Sequence, residues 1–170
     1  MDKIKKNFGF GMMRLPMNGE EVDIEETKKM VDAFLEAGFN YFDTAHGYIQ
    51  GKSETETKEC LTDRYPRGGY VLTDKLTGSF FKKEEDIRPF FESRLAACGV
   101  DYFDFYLMHA QNSETYKMFK SCRAYETAFE LKAEGKVRHV GIFSMTKRRC
   151  LSSIDRVPSD RSSSNSVQLC

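Results

Sequence analysis

The feature that most constrains the fold of this chain is the regular alternation of strand-like and helix-like stretches between residues 7 and 142. A strand, a helix and a further strand in succession are typical of βαβ units, whose strands run parallel in one sheet. The helical stretches carry local start and stop signals. Asp23 and Glu26 resemble a capping box, and Gly38 and Gly99 follow the last apolar residues of two helices. The pattern predicts an α/β fold with about five strands and four helices.

The predicted strands are short, apolar and bounded by polar or glycine residues. They cover residues 8–14, 41–43, 70–75, 102–108 and 137–142. The third and fourth predicted helices each place apolar residues at helical spacing, so we expect those residues to face the sheet. They are Ile87, Phe91, Leu95 and Cys98 on the third helix, and Tyr125, Ala128, Phe129 and Leu131 on the fourth.

Composition argues against several classes of function. Lys plus Arg and Asp plus Glu number 26 each, so no net charge attracts nucleic acid or an anionic membrane. No apolar signal segment and no run of 18 apolar residues occurs, which predicts a cytoplasmic protein without a membrane span. The five cysteines are widely spaced and form no Cys-x-x-Cys pair, so we expect reduced thiols and no metal site.

Four polar residues lie at or beyond the ends of the predicted strands: Asp43, Tyr48, Lys75 and His109. Asp43 ends the second strand and Lys75 ends the third, whereas His109 follows the fourth. In an α/β barrel, the carboxyl ends of the strands form the face that carries the active site. We therefore predict that these four side chains converge on one catalytic rim.

These four residue types together indicate proton transfer to a carbonyl group. A tyrosine phenol, whose ordinary pKa is about 10, needs a neighbouring cation to act as a general acid, and Lys75 supplies one. Asp43 would pair with the lysine, and His109 would orient the carbonyl. No side chain carries a hydride, so the chemistry implies a nicotinamide cofactor. Taken singly, each residue is more often a cap, a solvated charge or a packing residue, and only their joint placement favours the site.

The sequence around these positions resembles the aldo-keto reductase family. Residues 38–48, Gly-Phe-Asn-Tyr-Phe-Asp-Thr-Ala-His-Gly-Tyr, are similar to the family signature, and residues 73–76 and 106–110 are similar to two further family motifs. Residues 8–16 and 109–112 are most similar to a bacterial subgroup whose longer members often carry a ferredoxin-like C-terminal extension. We therefore interpret the chain as related to these reductases.

The resemblance implies a reductase that acts on a small aldehyde or ketone and takes its hydride from NADPH. Tyr48 would donate the proton, Lys75 and Asp43 would tune it, and His109 would orient the substrate. The residues implied in cofactor binding are Met13, Arg14 and Asp43.

An eight-stranded barrel typically takes about 250 residues. A chain of 170 residues therefore predicts the N-terminal half of a (β/α)8 TIM barrel, with residues 1–143 as the partial barrel. The first and last strands would have unpaired edges, through which the chain could associate with itself. Because the family's phosphate-binding loops follow the later strands, the alternative to a reductase is an inactive remnant or a half-barrel interaction protein.

Residues 144–170 form a predicted tail that is rich in serine and has no helical or strand period. One interpretation is a disordered regulatory segment, since such a composition buries little apolar area. The interpretation that we favour is a frameshift near codon 143. With suitable codons, residues 144–150 read in another frame as His-Asp-Lys-Ala-Glu-Val, similar to the family's continuation. Resequencing the gene tests this hypothesis, and a downstream region without barrel coding would contradict it.

Overall fold

A computed structural model, which describes residues 4–144, contains two sheets. The strands are β1 (Gly9–Gly11), β2 (Met17–Asn18), β3 (Glu21–Val22), β4 (Tyr41–Asp43), β5 (Val71–Leu76), β6 (Phe103–Met108) and β7 (Val137–Ile142). The main sheet has the order β1-β4-β5-β6-β7, and every neighbouring pair is parallel. Strands β2 and β3 form a short antiparallel hairpin. Successive βα units produce this order, which confirms the predicted α/β class.

Helices connect the parallel strands. They are α1 (Ile24–Glu36), α2 (Ser53–Thr57), α3 (Glu84–Cys98), α4 (Ser113–Ser121) and α5 (Ala124–Ala133). Helix α2 continues into a wider π-helical turn at Lys58–Thr62. Four of these helices were predicted, and α4 is additional. No helix within residues 4–144 is both long and apolar enough to cross a membrane.

The predicted cap at Asp23 and the two glycine stops are present, although the N–H of Asp23 bonds to the carbonyl of Pro16 at 2.8 Å and no full capping box forms. The Asp23 side chain accepts a hydrogen bond of 2.9 Å from the backbone N–H of Glu26 and so caps α1. Gly38 and Gly99 follow α1 and α3 with φ angles of 82° and 65°, in the left-handed region where a residue without Cβ is least strained. These glycines turn the chain from a helix back towards the sheet.

The two faces of the main sheet are buried differently. On one face, Phe42, Leu72 and Tyr106 pack in the large core against the helices. On the other face, a smaller cluster packs together, and it contains Tyr41, Val71, Phe105 and Leu107. Burial on both faces is what a parallel sheet requires, and it explains why the strands are almost continuously apolar.

Two sequence-based expectations need correction. The first strand covers only Gly9–Gly11, because the chain then turns, and the backbone N–H of Met12 bonds to the carbonyl of Asp43 at 2.8 Å. Phe129 was expected to face the core, but its side chain is 41% exposed, whereas Tyr125 and Leu131 are buried. The predicted tail, apart from Ser144, lies outside the described residues.

The core assignment predicts that two phenylalanine substitutions lower the free energy of unfolding by very different amounts. Phe91 on α3 is fully buried and packs edge-on against Phe103 and Tyr106. The change Phe91→Ala should lower the free energy of unfolding by about 3–5 kcal/mol, through lost burial and the cavity that remains. The matched change Phe129→Ala should cost less than about 1 kcal/mol. Urea denaturation measures both, and equal losses would contradict the assigned faces.

Candidate active site

The centre of the candidate site is an ion pair between Lys75 and Asp43. Lys75 lies on β5 and its side chain is only 1% exposed, whereas Asp43 at the end of β4 is 27% exposed. The ammonium donates to the Asp43 carboxylate and, at 2.9 Å, to the backbone carbonyl of Thr44. Burial raises the pKa of Asp43, and the charge of Lys75 acts in the opposite direction. Because an unpaired buried ammonium is costly, this pair fixes the direction of the lysine side chain.

Tyr48 lies beside this ion pair. It begins a 3-10 turn, Tyr48–Gly51, in the connection between β4 and α2. The Lys75 ammonium is 4.6 Å from the centroid of the Tyr48 ring, and the His109 ring meets the Tyr48 ring edge-on at 6.0 Å between centroids. The structure therefore brings together all four predicted catalytic residues, Asp43 through its bond to Lys75.

His109 directly follows β6, and its surroundings keep its imidazole neutral. Its backbone N–H bonds to the carbonyl of Leu76 at 2.9 Å, and its Nδ1 lies 2.7 Å from the hydroxyl of Thr77. Burial, with a smaller contribution from the charge of Lys75, lowers the pKa of His109 to about 4. When the Thr77 hydroxyl donates to Nδ1, the ring proton is on Nε2 and is available to a bound molecule.

The residues that follow Tyr48 and His109 have strained backbones. Ile49, Gln50 and Ala110 have φ angles of 47°, 54° and 52°, in the left-handed region that non-glycine residues seldom occupy. Such strain occurs often at functional sites, where surrounding contacts enforce the backbone conformation. Sequence reasoning missed this feature because none of the three is a typical left-handed residue.

Hydroxyl groups hold the connection that carries Tyr48. The Thr44 and Ser53 hydroxyls lie 2.7 Å apart, and Ser53 also donates to the carbonyl of Met12 at 2.8 Å. All three residues are buried. These bonds tie the start and the end of the connection to the turn after β1. Thr44 lies in the signature-like segment and Ser53 lies five residues after its end, but their polar type alone did not reveal this role.

Gln111 fixes the connection after His109. Its side chain donates to the carbonyl of His109 at 3.0 Å and accepts from the hydroxyl of Tyr125 at 2.6 Å. Gln111 is fully buried, and its backbone N–H bonds to the carbonyl of Phe143 at 2.9 Å. One amide side chain therefore joins the end of β6 to α5.

The predicted cofactor residues Met13 and Arg14 lie in the turn after β1, and both are exposed. The neighbouring Met12 ties this turn to the backbone of Asp43, so the turn is next to the ion pair. Within residues 4–144, no group of three or more His, Cys, Asp or Glu side chains could hold a metal ion. The turn that carries Met13 and Arg14 therefore lies at the same end of the sheet as Asp43.

The sequence profile described as the Aldo/keto reductase family matches residues 7–168. The chain belongs to the aldo/keto reductase family. The match includes most of the predicted tail, and the division at residue 143 remains a prediction.

Individual relatives agree with this assignment. An aldo-keto reductase from Mycolicibacterium smegmatis is 28% identical over 141 residues, which are 82% of this chain and 49% of the relative. An NADH-specific methylglyoxal reductase from Escherichia coli is 32% identical over 131 residues, 65% of this chain and 40% of the relative. The chain thus spans about half the length of the curated relatives that it matches.

A solved structure shows the same fold. The aldo-keto reductase from Klebsiella pneumoniae in complex with NADPH has a TM-score of 0.67 and 23% identity, and the match covers 85% of this chain and 47% of that chain. The described sheet and helices therefore correspond to part of a (β/α)8 barrel, as predicted.

The environment of His109 predicts an unusual titration. Its imidazole should titrate near pH 4 in the folded chain, against an ordinary value of 6.5. Since the folded pKa is the lower one, His109 contributes stability that is fully present above pH 6.5 and is lost as the pH falls towards 4. Titration followed by NMR checks the midpoint, and His109→Gln should remove this part of the pH dependence of unfolding. A midpoint near 6.5 would contradict the burial of the ring.

The left-handed backbone of Ala110 predicts that a change from alanine to glycine stabilises the chain there, although the same change destabilises it within a helix. At Ala110, the change to glycine relieves strain and should stabilise the chain by up to about 1 kcal/mol. At Ala96, which is exposed within α3, the same change should destabilise it by about 1 kcal/mol. Chemical denaturation of both variants checks the signs. A loss of stability at both positions would show that the strain after His109 is not relieved by glycine.

Proposed function

We propose that this chain carries the catalytic half of an oxidoreductase that reduces a small aldehyde or ketone to an alcohol with NADPH. The observation that carries the proposal is the contact of Lys75 with both Asp43 and Tyr48, with His109 against the tyrosine ring. Family membership supports it. A cytoplasmic location, as expected from the sequence, belongs to the same proposal.

Tyr48 is the proposed proton donor. When its phenol gives a proton to the substrate oxygen, a phenolate remains, and a nearby cation stabilises that charge. The Lys75 ammonium has this position, and Asp43 holds it there. Because Lys75 is buried, water screens its effect on Tyr48 only weakly. Lys75 and Asp43 are thus the proposed tuners of the acid.

His109 is the proposed orienting donor. In its neutral form it can donate from Nε2 to the carbonyl oxygen of a substrate while Thr77 holds Nδ1. A neutral donor polarises the carbonyl without competing with Tyr48 for the transfer of a full proton. The lowered pKa of His109 keeps this form in place throughout the neutral range.

The nicotinamide cofactor would supply the hydride that the side chains cannot. The chemistry of the turn after β1 fits such a group, because Arg14 offers an exposed cation and Met13 an exposed thioether. The neighbouring Met12 bonds to the backbone of Asp43. We propose that Met13, Arg14 and Asp43 contact it. The choice of NADPH is supported by the NADPH complex of the Klebsiella reductase, whereas the Escherichia coli relative is NADH-specific. Direct comparison of the two nucleotides is therefore part of the test.

A second candidate is a non-enzymatic half barrel that associates through its sheet edges. Strands β1 and β7 are the outermost strands of the described main sheet, which supports this candidate. Such an edge can pair with a second copy of the chain.

Cofactor titration separates the two candidates. Saturable quenching or enhancement of NADPH fluorescence by the purified chain supports the reductase, and NADH serves as the comparison. An absence of binding at millimolar nucleotide, with a cooperative thermal melt, supports the half barrel instead.

The mechanism predicts that Tyr48→Phe lowers the rate of carbonyl reduction and leaves cofactor binding intact. Removal of the phenol should lower kcat for carbonyl reduction by at least about 100-fold, since general acid catalysis contributes a factor of that order. The affinity for NADPH should stay within about twofold, because the ring is retained. Parallel assays of turnover and nucleotide fluorescence check both effects, with Tyr102→Phe, away from the proposed acid, as the control. Unchanged turnover in Tyr48→Phe would exclude this residue as the acid.

A further inference from the structure

Two buried carboxyl groups behind the candidate site each leave one oxygen without a donor. Glu54 is on α2 and its side chain is 1% exposed, and Asp74 on β5 is fully buried. The unpartnered atoms are Oε1 of Glu54 and Oδ2 of Asp74. An unpaired buried polar atom is costly, so these oxygens need an explanation.

The other oxygen of each carboxyl has well-defined donors. Glu54 Oε2 accepts from the Arg94 guanidinium at 2.6 Å and lies 3.1 Å from Nδ1 of His46. Asp74 Oδ1 accepts from the backbone N–H of Lys75 at 2.7 Å. The two carboxyl groups also act on each other: a hydrogen bond from Asp74 lowers the pKa of Glu54, and the charge of Glu54 raises the pKa of Asp74. Each carboxyl group therefore has one oxygen that is free to share a proton with the other group.

Two ionised carboxylates at such a contact would repel each other strongly in a buried setting. One shared proton removes this repulsion and satisfies both oxygens with a single hydrogen bond. Arg94 forms an ion pair with Glu54 and favours its ionised form, whereas on Asp74 it acts only through its charge among the residues that the structure describes. The proton is therefore assigned to Asp74, which donates it to Glu54.

We propose that Glu54 and Asp74 share one proton and that this bond fastens α2 to β5, positioning the tyrosine connection against the lysine strand. Tyr48 is in the connection that leads directly into α2, and Lys75 is the neighbour of Asp74 on β5. Glu54 and Asp74 act through these elements and are positioning residues. Only this consequence for Tyr48 and Lys75 rests on the proposed function; the shared proton does not.

The direction of the pKa shifts agrees with this arrangement. Burial raises the pKa of both carboxyl groups, and the charge of Arg94 acts against it. The titratable and charged groups that face the pair are His46 from the connection after β4, Arg94 and Cys98 from α3, and Tyr106 from β6. Lys75 acts on the pair through its charge from the other face of β5.

The shared proton should make the free energy of unfolding fall as the pH rises. Because the folded pKa of Asp74 is raised, its contribution is fully present below the ordinary carboxyl pKa of 3.8. That contribution is lost as the pH rises through the raised value. The bond between α2 and β5 should therefore loosen on the alkaline side.

Infrared spectroscopy of the full chain tests the shared proton without any need for activity. At pH 8, exposed carboxyl groups are ionised, so a carbonyl stretching band of a protonated carboxyl reports a strongly raised pKa. We expect this band in the wild-type chain, and we expect a shift on isotopic labelling of aspartate carboxyl groups. Its absence from the folded wild-type chain would overturn the proposal.

Two variants test whether the infrared band comes from the carboxyl group of Asp74. Asp74→Asn keeps a donor towards Glu54 but has no titratable proton, so the band should disappear while the chain stays folded. Tyr106→Phe removes the neighbouring buried hydroxyl, which is also without a partner, and should leave the band in place. A band that persists in Asp74→Asn, or is lost in Tyr106→Phe, would overturn the assignment to Asp74.

Thermal melts give an independent readout. Between pH 5 and pH 9, the Tm of the wild-type chain should fall relative to that of Asp74→Asn as the pH rises, since only the wild type must release the shared proton when it unfolds. The difference between the two curves removes the contributions of His46 and the other titrating groups. Parallel curves would overturn the proposal. Because neither readout measures reduction, failure of the reductase function would leave this result interpretable.

Discussion

The candidate site depends on one buried cation. The Lys75 ammonium is withdrawn from water and is stable there only because Asp43 and the carbonyl of Thr44 receive its hydrogen bonds. The same charge lies against the ring of Tyr48 and disfavours a proton on His109. The Lys75 charge therefore pairs with Asp43, lies against the ring of Tyr48 and adds to the effect of burial on the pKa of His109.

Much of this arrangement could be predicted from sequence because its signals are local. The parallel strands, the cap at Asp23 and the glycines after α1 and α3 each follow from residues close together in the chain. The convergence of Asp43, Lys75 and His109 followed from one further rule, that the carboxyl ends of parallel strands meet at one edge. Residue type and position were sufficient in these cases.

The features that escaped prediction depend on contacts between distant residues. The left-handed backbone at Ile49 and Ala110 is imposed by surrounding contacts against their intrinsic preference. The exposure of Phe129 depends on how α5 is rotated against the sheet, which helical spacing alone does not determine. Glu54 and Asp74 meet only after α2 folds onto β5, so neither appears unusual in the sequence. Tertiary packing, rather than propensity, decides these features.

Strand β5 places an acidic and a basic side chain on its two faces at consecutive positions. Asp74 faces the layer of Glu54 and Arg94, and Lys75 faces Asp43 on the other side. A slip of one residue in the pairing of β5 would exchange these faces. The ammonium would then enter the helix layer, and the carboxyl group would meet Asp43. Misregistered chains would thus bury two mismatched ionisable groups at once, so charge as well as apolar pattern selects the correct pairing of this strand during folding.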